Sequence, residues 1–81
     1  MKVTVRLFAG AAHQAGVRTL ALELGEGADV AAARAALLAQ MPQLKALCDV
    51  SLWATETEVL DQHAVLKPDS ELAMIPPVSG G

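Results

Sequence analysis

Polar and apolar side chains alternate over residues 2–8: Val3, Val5 and Leu7 fall on one side, Lys2, Thr4, Arg6 and Phe8 on the other. A period of two predicts a half-buried β-strand. The alternation returns over residues 18–24, where Leu20, Leu22 and Leu24 share a face. Between them, residues 9–16 are small and read as a turn with room for one helical turn, ended by Gly16. Two strands joined by a short loop are the simplest reading of this part of the chain.

Gly25-Glu26-Gly27 breaks the second strand, and the apolar spacing then lengthens to that of a helix. Asp29 is a good N-cap for a helix from Val30 to about Gln40, an alanine-rich run of high helix propensity. Val30, Ala33, Leu37 and Met41 lie near one face with Leu38 beside them, which predicts a stripe packed on the sheet. Pro42 closes this helix and can open another short turn, with Leu44 and Leu47 facing inward. Leu52-Trp53-Ala54 reads as a strand and residues 57–60 as a weaker one. Leu72-Ala73-Met74-Ile75 reads as the last, entered through a Pro68-Asp69-Ser70 turn.

Strand, strand, helix and further short strands describe an α+β domain of β-grasp, or ubiquitin-like, architecture. The expectation is a mixed sheet of four to five strands packed on one main helix, with the first and last strands parallel at its centre. No linker or repeat is visible, so residues 1–81 are expected to form a single domain, with 1–76 globular and 77–81 a flexible tail.

Composition narrows the function. Hydrophobic residues make up 53% of the 81 and charged residues 19%, which argues against disorder. A chain this short buries only about 60% of its unfolded surface, so each apolar residue matters. Phe8 and Trp53 are the only aromatic residues, too few for base stacking, and a net charge of −3 lacks the basic footprint of phosphate recognition. No nucleic-acid partner is expected. No uncharged apolar run approaches the ~20 residues that span a bilayer, and Met1 leads directly into a strand instead of a signal peptide. The single cysteine rules out an intrachain disulfide and fits a reducing compartment. A soluble cytoplasmic protein without a membrane partner is the expectation.

Few side chains offer chemistry. Cys48 reads as an ordinary semi-buried cysteine, and His13 and His63 as solvated. Two histidines and a distant cysteine make a poor metal site, and nothing resembles a nucleophile elbow, a Walker loop, HExxH or CxxC. Neither a catalytic residue nor a metal ligand is expected.

The tail is different. Pro76-Pro77 fixes two successive φ angles and keeps Ile75 and Pro76 extended, which predicts a stiff lever leading away from the sheet. Val78 and Ser79 offer small handles, and Gly80 and Gly81 leave nothing to obstruct a channel one backbone wide. A Gly-Gly end arises by chance about once in 200 chains, so a plain surface tail competes with this reading. The stiff base and featureless tip favour insertion into a partner's active site, with the carboxylate of Gly81 as the reactive group.

Phe8-Ala9 after the first strand, Asp29-Val30 with Arg34 on the helix, Glu71-Leu72-Ala73 in the last strand and, above all, Pro76-Pro77-Val78-Ser79-Gly80-Gly81 carry a resemblance. The whole chain resembles the small subunits of molybdopterin synthase, which are ubiquitin-like sulfur carriers. The resemblance implies that an E1-like enzyme uses ATP and magnesium to adenylate Gly81, giving a nucleotide-bearing acyl-phosphate intermediate. A sulfur donor would convert it to a thiocarboxylate. The tail, residues 76–80, would then enter the large synthase subunit and pass sulfur to a cyclic pterin precursor in molybdenum cofactor biosynthesis. It implies no cofactor bound by the chain itself, a heterotetramer with the large subunit, and docking through an apolar patch at Phe8, Val59 and Ile75.

Departures from the family pattern fall elsewhere. Ala54-Thr55-Glu56 replaces an Ala-Val-Asn stretch, Pro68-Asp69-Ser70-Glu71 an Asp-Gly-Asp-Glu turn, and Ala12 an arginine often present after Phe-Ala. They leave open a related carrier for thiamine, cysteine or tRNA thiolation. An alternative of another class is a β-grasp interaction module whose tail has no covalent role.

Overall fold

A computed structural model describes residues 1–77. Five strands form one sheet: β1 (Lys2–Leu7), β2 (Thr19–Glu23), β3 (Leu52–Ala54), β4 (Val59–Leu60) and β5 (Glu71–Ile75), in the order β2-β1-β5-β3-β4. β1 pairs antiparallel with β2 and parallel with β5; β3 pairs antiparallel with both β5 and β4. The expected parallel centre is present. Three helices accompany the sheet: α1 (Ala9–Ala15), α2 (Val30–Gln40) and α3 (Lys45–Val50), the last preceded by a 3-10 turn at Pro42–Leu44.

Alternation places Val3, Val5, Leu7, Leu22, Trp53, Leu72 and Met74 on the buried face of the sheet. Val30, Ala33 and Leu37 of α2 and Leu44 and Cys48 beyond it complete the core. Met41 and Leu47, expected inside, are only partly buried, whereas Cys48, expected to be half-buried, is 3% exposed. The short third helix turns Cys48 inward where the predicted stripe had Leu47.

The α2 boundaries match those read from the sequence because the cap forms: Asp29 Oδ1 accepts from the Ala32 amide at 2.9 Å. The loop after β4 satisfies two more orphan donors of that helix. Gln62 and Ala64 carbonyls accept from the amides of Ala31 and Val30, and Leu66, 6% exposed, plugs the core beside them.

Residues 9–16 hold more structure than a turn. α1 has seven residues, tethered by the buried Ala11 and ended by Gly16 at φ 75°, whose amide bonds to the Ala12 carbonyl at 3.0 Å. One buried alanine leaves almost no amphipathic signal, so the helix is hard to read from the sequence. Three strands are also shorter than expected: Phe8 caps α1 instead of extending β1, Leu24 lies beyond β2, and only Val59–Leu60 pairs on the last edge.

Candidate functional site

Side chains of opposite parity to the core make the outer sheet face. The register Leu52↔Ile75, with Leu7↔Met74 one step before Phe8 and Ile75, sets Ile75 and Leu52 in one row, with Phe8 beside them just past the end of β1. Arg6, Ala73, Ala54 and Val59 form the next row. Phe8 is 39% exposed, Ile75 40%, Leu52 55% and Val59 64%. Isolated exposed apolar residues are ordinary, but these four fall in adjacent rows, and beside them Phe8, Ala54 and Ala73 share a hollow of about 180 Å³ with Arg6, Thr55, Glu56 and Glu71.

All three residues expected to dock, Phe8, Val59 and Ile75, therefore lie on this face. Leu52 joins them and was missed. Its signal was available, since Trp53 next to it must face the core and so turns Leu52 outward. Arg6 edges the patch: its guanidinium stands 5.5 Å over the Phe8 ring and 3.4 Å from the Glu71 carboxylate. Both charges are about half exposed, so the pair contributes little stability and mainly orients the ring.

The described residues run out at this same end of the sheet. β5 ends at Ile75; Pro76 is buried and Pro77 exposed. Pro76, expected both to end the globular part and to open the inserting tail, is packed into the domain body. The sites expected at Val78, Ser79, Gly80 and Gly81 lie outside the described residues.

Behind α2, Arg34 and Lys45 both pair with Asp49, linking α2 to α3. The bond from Lys45, with the Arg34 guanidinium alongside, holds the Asp49 carboxyl below its ordinary value. Burial pushes the Cys48 thiol up, against a smaller opposing pull from Arg34. A protonated, buried thiol is a weak nucleophile. His13 and His63 are exposed, and among the described residues no His, Cys, Asp and Glu cluster could hold a metal. Nor is any described helix long and apolar enough to cross a membrane. The geometry offers an exposed apolar face beside the end of β5.

The sequence model of the ThiS family matches residues 5–81. The chain belongs to the ThiS family. This member is 36% identical over 84 residues to the molybdopterin synthase sulfur carrier subunit of Chlamydomonas reinhardtii, covering 100% of both. Its fold is similar to that of SAMP1 from Haloferax volcanii, with a TM-score of 0.92, 29% identity and 100% of both chains covered. It is also similar to a chain of the complex of subunits 1 and 2 of molybdopterin-converting factor from Helicobacter pylori, with a TM-score of 0.72, 26% identity and 100% of both chains covered. The ubiquitin-like β-grasp and the resemblance to ubiquitin-like sulfur carriers are both borne out.

Proposed function

We propose that this ThiS-family protein is the cytoplasmic sulfur carrier subunit of a molybdopterin synthase. The observation that carries the reading is the full-length likeness to a curated sulfur carrier subunit. It is supported by a body whose described residues offer an apolar docking face beside the root of the tail.

A carboxylate is a poor electrophile, so the Gly81 carboxylate must be activated. An E1-like enzyme, with magnesium on the nucleotide, lets a carboxylate oxygen attack the α-phosphorus of ATP while pyrophosphate leaves. A sulfur donor then delivers a sulfur nucleophile to the acyl carbon and AMP departs, leaving a thiocarboxylate. In the large synthase subunit this soft sulfur passes to the cyclic pterin precursor, and hydrolysis restores the carboxylate. The carrier contributes reach and recognition: Phe8, Leu52, Val59 and Ile75 seat the body, and residues 77–80 thread Gly81 into each partner's site. The catalytic side chains belong to those partners, and the chain acts as a non-catalytic subunit of a heterotetramer.

Deletion of Gly81 tests this directly. Sulfur transfer to the pterin should vanish while the thermal midpoint stays unchanged; retained transfer would remove the proposal. A second reading, a related carrier for thiamine, cysteine or tRNA thiolation, draws on the departures from the family pattern at Ala54-Thr55-Glu56, Pro68-Asp69-Ser70-Glu71 and Ala12. Pull-down with purified large synthase subunit distinguishes them, since only the first reading requires a stable complex.

A further inference from the structure

Two of the six lysines and arginines of this acidic chain, Arg6 and Arg18, line one groove. This groove of about 540 Å³ runs where the end of β1 meets α1 and the start of β2, with Arg6, Phe8, Ala12, Arg18 and Thr19 in its walls. A second hollow, of about 340 Å³, continues past Ala12 and Arg18 to His13. No aspartate or glutamate lines either one, although the chain has nine acidic residues against six lysines and arginines. Glu71, the partner of Arg6, stands on β5, on the side of β1 away from β2. Arg18 makes no ion pair among the described residues.

We propose that this groove seats an acidic side chain, a glutamate or aspartate of a protein docked on the adjoining sheet face. The guanidinium fork matches a carboxylate in two parallel hydrogen bonds. Phe8 and Ala12 present apolar surface to the methylene stem, which suits a side chain better than a fully hydrated phosphate. Phe8 borders both the groove and the apolar row, so the two surfaces are continuous. The groove adds an arginine without an ion pair among the described residues, Arg18, a charged contact that fixes orientation and speeds encounter.

The inference extends the docking reading, yet its test needs neither sulfur chemistry nor the synthase subunit. The full chain, labelled with nitrogen-15, is titrated at low salt with hexaglutamate and, separately, with inorganic phosphate. Saturable amide shifts are expected at Phe8, Ala12, Arg18 and Thr19 with the peptide, fading as salt is added. Arg18→Gln should weaken peptide binding about three- to fivefold, the range of one exposed ion pair, while Lys67→Gln outside the groove leaves it unchanged. Absence of those shifts, or an equal response in both variants, overturns the proposal. So does tighter binding of phosphate at the same amides, which would make this a free-anion site. Shifts that appear on raising protein concentration alone would assign the groove to a second copy of the chain and equally overturn it. A groove that titrates as expected while Ile75→Asp still captures the partner would instead count against the docking face alone.

Discussion

At the scale of single residues, the site is made by parity. Ile75 and Met74 are neighbours in β5, yet Met74 is fully buried and Ile75 is 40% exposed. A charge at Ile75 should therefore spoil docking without unfolding the core. Ile75→Asp is expected to abolish capture by the large synthase subunit while shifting the thermal midpoint by no more than a surface substitution does; unaltered capture would remove Ile75 from the docking face. The same logic exposes Leu52, whose role follows from the inward Trp53 and not from its own hydrophobicity. Gly16 shows the backbone counterpart. It sits at φ 75° with open space around it, so Gly16→Ala meets no clash and isolates the conformational term. A loss of about 1 kcal/mol is expected in a urea titration.

At the scale of elements, α2 is the best-specified piece and shows why. Its cap, its alanines and its buried stripe of Val30, Ala33 and Leu37 agree with one another. Asp29→Ala should cost about 1 kcal/mol, read by chemical denaturation. Behind it, the Arg34–Asp49–Lys45 group predicts a pH dependence. Because the folded state holds the Asp49 carboxyl below its ordinary value, the contribution is present above the unfolded value near 3.8 and is lost as pH falls through the lower folded one. Asp49→Asn should flatten that part of the acid limb of a stability-versus-pH curve; an unchanged limb would show that the group carries no linked stability. α1 and α3 were far less legible. Each is short and turns one small residue inward, Ala11 or Cys48, so neither generates a periodic stripe that a sequence can display. The loop of residues 61–66 was invisible for another reason. It acts through backbone carbonyls that meet the amides of α2, and backbone bonding leaves no mark on side-chain pattern.

At the scale of the whole molecule, the parallel pairing of β1 with β5 was readable because the order strand, strand, helix and further short strands describes a β-grasp, while alternation gave each strand its inner face; the placing of β3 and β4 at the far edge was not. The patch at Phe8, Val59 and Ile75 came from the family resemblance, and strand parity agrees with its outward exposure. The Arg6–Arg18 groove was not readable, since the two residues are far apart in sequence and meet only when β2 returns beside β1. The body thus presents an apolar row and a groove lined by Arg6 and Arg18 near the end of β5. In the proposed function that body is a handle and the chemistry lies on Gly81. Intact-mass measurement after incubation with an E1-like enzyme, ATP, magnesium and a sulfur donor tests this most directly. The predicted result is a gain equal to one oxygen-for-sulfur exchange, confined to the C-terminal peptide and absent when Gly81 is deleted. An unchanged mass, with the same enzyme preparation converting a control carrier, would contradict it.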